Sequence, residues 1–242
     1  MQRLRRSARR RRAEGLLIVE GRRLVAEAMR AVVPEALFYT ARFAATEAGH
    51  ALLAHSHTPR WEVSPSVMKA LADTQTPQGI LALVPIPRLP LPEGDRFTLV
   101  PDRVRDPGNL GTILRTAWAA GVDAVLIPPG SADPTNPKVV RSAMGAHFHL
   151  PWRRMGWEAI REQLQGATVW LAEAGRGQPY DAVDWRGNVA LIIGGEAEGA
   201  GEAGRALAGD RLTHIPMRPG VESLNAAVAA AVFLFAAARQ RG

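Results

Sequence analysis

Asn109, Arg115, Glu196, Ser223 and Asn225 stand in the loops after strand-like apolar runs or early in the helical segments that follow them. Loops at the carboxyl ends of parallel strands are where α/β proteins bind ligands. Together the five side chains supply a permanently charged donor, one carboxylate and three neutral hydrogen-bonding groups, with no obvious titrating base. On a helix starting near Asn109, Leu110, Ile113, Leu114 and Ala117 share the face that would pack on a sheet, while Gly111, Thr112, Arg115 and Trp118 lie on or near another. A solvated arginine would sit in the same place, so periodicity alone assigns Arg115 no role.

Other chemistries are weaker. "GAGEAG", residues 199–204, matches the glycine fingerprint of dinucleotide-binding folds. Its first glycine, however, falls six residues past Ile193 with two glutamates between, where a pyrophosphate would be repelled. The chain has no phosphate-loop motif, no H-E-x-x-H and no G-x-S-x-G elbow. His55 with His57, and His147 with His149, could chelate a metal, but neither pair has a carboxylate at ligand spacing, and no metal is expected. With no cysteine there is no thiolate nucleophile, disulfide or Cys-ligated cluster.

The net charge of +7 has one source. Residues 1–12, "MQRLRRSARRRR", hold seven arginines and no acid; the other 23 Lys and Arg balance the 23 Asp and Glu. A dense basic arm attracts polyphosphate through counterion release and two-point arginine contacts, which makes nucleic acid the leading partner, although like-charge runs are also commonly solvated tails. The run "LLIV" is too short for a secretory core, and the longest small and apolar run, 226–238, has 13 residues against the ~20 of a membrane span. A cytoplasmic protein without a membrane partner is expected.

These residues need elements to hold them. Proline-rich "LVPIPRLPLPEGD" at 83–95 marks a domain boundary. Before it, strand-like "LLIVE", "EALFYT", "RWEVS" and "GILALV" alternate with helical patterns. After it come strand "FTLVPDRV", a helix over 109–121, strand "DAVLIP", a helix around "PKVVRSAMGA", strand "HFHLP", helix "WEAIREQL", strand "ATVWLAE", strand "NVALIIG", a short helix near 201–208, strand "RLTHIPM" and a closing helix over about 223–240. Continuous apolar strands predict a mostly parallel sheet covered on both faces. The domains read as a basic arm at 1–12, a small α/β domain at 13–84, a linker at 85–96 and a larger α/β domain at 97–242.

Three stretches now stand out: "DPGNLGTILRTAWAAGVDAVLI", "ALIIGGEAEGAG" and "IPMRPGVESLNAAVAAAVFLF". In order and spacing they resemble the three motifs of the SpoU, or TrmH-type, branch of the SPOUT RNA methyltransferases. "IVEGRRLVAEAMRA" and "LADTQTPQGILALV" are similar to the L30e-like substrate-binding domain of its ribosomal-RNA members, so the resemblance covers nearly the whole chain.

The resemblance implies an α/β fold with a parallel-sheet SPOUT domain, a C-terminal trefoil knot and a homodimer formed through that domain. It implies S-adenosylmethionine as cofactor, held by the knot backbone at Gly194, Gly195, Ile215, Met217 and Leu224. The implied reaction is 2'-O-ribose methylation of RNA, most often 23S ribosomal RNA, with a tRNA methyltransferase or a catalytically silent RNA-binding protein as alternatives. Arg115 would grip the target phosphate and stabilise negative charge on the 2'-oxygen, Glu196 would orient Arg115, and Asn109, Ser223 and Asn225 would hold loops and ribose. One departure is "SLNAA", which puts Ala227 where the family commonly has a serine.

Overall fold

A computed structural model describes residues 1–54, 58–196 and 198–242; of Gln2 it describes the backbone alone. His55 and His57 lie outside the described residues. The chain divides into two compact units, Met1–Pro87 with Asp133–His149, and Arg88–Ala132 with Leu150–Gly242. The first break falls inside the proline-rich segment. The second places Asp133–His149, read from sequence as part of the larger domain, with the first unit.

In the second unit the apolar runs become strands β5 (Phe97–Asp102), β6 (Ala124–Ile127), β8 (Thr168–Ala172) and β10 (Val189–Gly194), joined by β7 (Trp152–Arg154), β9 (Gln178–Pro179) and β11 (Leu212–His214). All seven pair in parallel, in the order β7-β6-β5-β10-β8-β11-β9. β5 and β6 are buried along their whole length and β10 to its last residue but one, as a sheet covered on both faces requires. From β5 the chain moves outward to β6 and β7, then returns to β8 on the other side of β5. Direction therefore reverses beside β5, the place where open parallel sheets leave a crevice. Register puts Ile193 opposite Pro101 and Gly194 opposite Asp102, so the loops after β5 and β10 leave the sheet side by side.

Two helices frame that edge. Helix α7 (Pro107–Ala119) starts two residues before the predicted 109, because Asp106 Oδ1 caps the Asn109 N–H at 2.8 Å and Pro107 fills the first turn. Helix α11 (Ala226–Arg241) starts after the predicted 223, because Asn225 Oδ1 accepts from the N–H groups of Ala227 and Val228 at 3.0 and 3.2 Å. Ser223 and Leu224 therefore lie in the loop. The remaining helices of the unit are α9 (Trp157–Gln163) and α10 (Glu202–Ala208).

The first unit holds a four-stranded sheet, β1 (Leu16–Glu20), β2 (Ala36–Tyr39), β3 (Arg60–Glu62) and β4 (Ile80–Pro85), in the order β1-β4-β2-β3. β4 runs antiparallel to β1 and β2, while β2 and β3 are parallel. Helices α3 (Arg22–Ala31), α4 (Ala41–Ala44), α5 (Glu47–Ala54) and α6 (Pro65–Leu71) accompany it, and Val140 of α8 (Pro137–Ser142) and Phe148 join its core.

Two expectations need correction. "HFHLP" is not a strand: Ala146–Phe148 form a 3₁₀ turn after Gly145, which sits at φ +102°, and the strand begins only at Trp152. Nor are residues 1–12 a free arm. They fold into α1 (Gln2–Arg6) and α2 (Ala8–Glu14), and Leu4 packs with Ile18, Met68 and Leu81. Arg11 is 3% exposed; its guanidinium bonds Asp133 at 2.8 Å, Thr135 at 3.0 Å and the carbonyls of Leu4 and Arg5. The arginine run gave no sign of this, because charge counts carry no information about which guanidinium meets a buried carboxylate. Arg3, Arg6, Arg9 and Arg10 remain exposed.

Candidate active site

The three motif loops converge on one carboxylate. Glu196 Oε1 accepts from Asn109 Nδ2 at 2.6 Å, from Asn225 Nδ2 at 2.6 Å and from the Ala226 N–H at 3.4 Å. Asn225 Nδ2 also reaches Asn109 Oδ1, at 3.2 Å. The start of α7, the turn after β10 and the start of α11 are thus tied at a single point. A carboxylate at two helix N-termini also suits their dipoles.

Glycines allow the chain to close up here. A Cβ at Gly194 would lie 2.3 Å from the Ala200 nitrogen, and one at Gly195 would lie 2.1 Å from the Arg103 carbonyl oxygen, distances no side chain tolerates against backbone. Asp102, the last residue of β5, is buried and accepts the Gly201 N–H at 2.6 Å. Burial pushes its carboxyl above the ordinary range, with the Gly201 bond opposing. That bond already caps α10, whose first turn carries Glu202, so the glycine fingerprint at 199–204 opens onto an occupied, acid-bearing helix start rather than a pyrophosphate site.

Behind Glu196 is a cleft of about 200 Å³. Gly194, Gly195, Ile215, Met217 and Leu224 all line it, as do Glu196 and Ser223. Apolar walls from Ile193, Ala229 and Phe233 alternate with the polar backbone of 194–195 and the Glu173 carboxylate. Glu173 is itself held by Arg205 at 2.6 Å, so the cleft presents apolar side chains beside backbone polar groups, a mix that suits a small ligand with both apolar and hydrogen-bonding parts. On the other side of Glu196 a cavity of about 120 Å³ is lined by Asn109, Arg103, Arg105 and Glu198. Arg103 and Arg105 stand just outside the quoted motifs, and Glu198, inside the second, was read only as a charge that would repel a pyrophosphate; Asp102 could have been noticed as an acid closing an apolar strand.

The expected Glu196–Arg115 pair does not form. Arg115 sits six residues beyond Asn109, about 9 Å along the helix, while Glu196 is held at the first turn. Arg115 is exposed and lines neither cavity, and among the described residues it has no hydrogen bond or ion pair. Ser223 is exposed and likewise unpartnered among the described residues. Ala227 is 5% exposed and donates only its N–H, to Asn225. His147 and His149 are engaged separately, with the Pro134 carbonyl and with Glu27. Among the described residues no group of three or more metal-ligating side chains gathers, and no helix is long and apolar enough to cross a membrane.

Residues 96–235 match the family model of the SpoU rRNA methylase family, and residues 1–82 match the MRM3-like substrate binding domain. The chain belongs to the SpoU rRNA methylase family. Among curated relatives of this family, the chain is 38% identical to the 23S rRNA (guanosine(2553)-2'-O)-methyltransferase RlmP of Bacillus subtilis over 72% of this chain and 70% of that one. It is 34% identical to rRNA methyltransferase 3A, mitochondrial, of Danio rerio, over 94% of this chain and 64% of that one. The SpoU methyltransferase AviRb of Streptomyces viridochromogenes, solved in complex with AdoMet, superposes with a TM-score of 0.91 at 27% identity, covering 99% of this chain and 95% of that one. The SpoU relatives named here are RNA methyltransferases, and the parallel-sheet α/β fold with its three converging motif loops is the architecture expected of an RNA 2'-O-methyltransferase.

Proposed function

We propose that this SpoU family member transfers a methyl group from S-adenosylmethionine to a ribose 2'-hydroxyl of 23S ribosomal RNA. The carrying observation is the tie of Asn109, Glu196 and Asn225 beside a cleft lined by every residue expected to hold the cofactor. Bound there, S-adenosylmethionine would supply an electrophilic methyl on a sulfonium. The chain's own residues do the rest. Glu196 locks the three loops so that the cleft keeps its shape. Arg115, which bonds no other described residue, grips the target nucleotide's phosphate and stabilises the negative charge that grows on the 2'-oxygen as its proton leaves. A guanidinium, already carrying its full set of protons, is a poor base, so the proton goes to phosphate or water. Ser223, in the loop above the cleft, is the remaining group available to the ribose.

RNA is held by the first unit. A groove of about 1000 Å³ there is lined by Arg22, Arg23, Arg42 and Lys69, none of which pairs with a described acid, while Glu20 is taken by the Asp73 and Thr74 backbone and the Thr74 hydroxyl. Unopposed cations over a concave surface suit a folded RNA read by phosphate and shape. The exposed arginines of α1 and α2 add to that field. In the second unit α11 leaves Val228 and Phe235, seven residues apart on one face, 52% and 53% exposed. An apolar face of this kind supports a homodimer through the C-terminal domain. The family resemblance alone carries the proposals of a knotted C-terminal segment and a cytoplasmic place of work. Calorimetry tests the cofactor directly: binding of S-adenosylmethionine and none of NAD is expected, whereas binding of NAD alone would overturn the reading.

A further inference from the structure

The motifs do not account for the basic locus beside Asn109. Arg103 follows β5 directly at φ +57°, a left-handed conformation that strains a non-glycine residue. Two glycines accommodate it. A Cβ at Gly195 would strike the Arg103 carbonyl, and one at Gly201 would lie 2.9 Å from Arg103 Nε. The guanidinium is thus laid across Gly201 by the surrounding backbone rather than left to wander.

Arg103 and Arg105 meet on one carboxylate. Arg103 Nη1 lies 3.1 Å from Glu198 Oε2, while Arg105 donates Nη1 to Oε1 at 3.1 Å and Nη2 to Oε2 at 3.0 Å, a two-point fork. Glu198 rides the tight turn in which the Gly199 N–H bonds the Gly195 carbonyl at 3.0 Å. The side chains of Arg103, Arg105 and Glu198 are 40%, 63% and 48% exposed, so water screens the pairs and holds Glu198 only weakly. Of the three carboxylates lining this cavity, Asp106 accepts the Asn109 N–H and Glu196 accepts from Asn109, Asn225 and the Ala226 N–H, which leaves Glu198 as the acid that faces the two guanidiniums. A phosphodiester offers arginine the same pair of charged oxygens as a carboxylate does.

We propose that Arg103 and Arg105 bind the RNA backbone phosphate flanking the target ribose, and that Glu198 occupies this phosphate site in the free protein and yields it when RNA enters. This rests on the methyl-transfer reading and adds a second anchor point, separate from Arg115, that sets the strand's register over the cleft. Equilibrium binding of a protein-free 23S ribosomal RNA transcript, followed across salt concentration beside calorimetry with S-adenosylmethionine, tests it. Arg105→Gln should weaken RNA binding about tenfold, the worth of a lost charge-assisted contact, and lower the salt slope by about 0.7 to 0.9 per phosphate released, with cofactor affinity unchanged. Glu198→Gln, which removes the competitor's charge, should strengthen RNA binding several-fold. Wild-type RNA affinity and slope in both Arg105→Gln and the Arg103→Gln/Arg105→Gln double variant would overturn the assignment, as would a loss confined to cofactor affinity. Because binding is read rather than transfer, a wild-type protein that bound this RNA without methylating it would defeat the methyl-transfer reading while leaving the variant comparison as decisive as before.

Discussion

Arg115 and Glu196 divide the work between them. Glu196 is committed to the fold, with Asn109, Asn225 and the Ala226 N–H converging on one of its oxygens. Arg115, exposed, has no bond to a described residue. Substitutions should therefore separate cleanly. Arg115→Ala should keep the wild-type melting temperature and cofactor affinity but lose transfer by about a hundredfold or more, the scale set by removing one donor aimed at developing charge. Arg115→Lys should rescue little, because the point charge lacks the planar fork. Glu196→Ala should do the opposite first, lowering the melting temperature and cofactor affinity together, since it frees two helix starts. Melting curves and cofactor titrations of the two variants, run beside single-turnover transfer, distinguish them.

At the level of elements, the sheet was legible because buried parallel strands are continuous apolar runs, and β5, β6, β8 and β10 carry them. Helix limits were less so: Asp106 and Asn225 moved the starts of α7 and α11, and cap side chains act through geometry that periodicity does not see. Asn109, Glu196 and Asn225, picked out by their loops, come together, and the five positions expected to hold the cofactor line one cleft. The Glu196–Arg115 pair was not realised, because sequence proximity of functions says nothing of a helix's rise. Arg11 was the hardest to anticipate, since its partner Asp133 lies 122 residues away. Burial alone would raise the Asp133 carboxyl, but hydrogen bonds from Thr135 and Arg11 outweigh it and hold the group below the usual carboxylate range. Arg11→Met leaves that carboxylate with the Thr135 bonds and with Arg12, 3.4 Å away, so denaturant titration should record a loss of about 2 kcal/mol, the worth of a hydrogen bond to a charged group. Gly195→Ala should also unfold the site, because its Cβ would meet backbone rather than a movable side chain.

For the molecule as a whole, acid is the sensitive direction. His147 is completely buried, and burial pushes its imidazole from 6.5 down to about 4, with the Pro134 carbonyl and Asp133 opposing. The unfolded chain takes up this proton as pH falls below the ordinary histidine value while the folded chain resists it to about 4. Stability should thus decline between those limits by up to about 3 kcal/mol and gain no further loss from this residue below them. Melting temperature against pH checks this, and His147→Gln should flatten the decline. Assembly is equally testable: Phe235→Lys on the exposed face of α11 should shift the mass in light scattering from dimer to monomer. Methyl transfer to ribose is read by incubating the protein with a 23S ribosomal RNA transcript and methyl-labelled S-adenosylmethionine, digesting the RNA to nucleosides and separating them. Wild-type protein should place label in a 2'-O-methylated nucleoside and folded Arg115→Ala should not; label in a base, or undiminished ribose label with the variant, would rule out this chemistry.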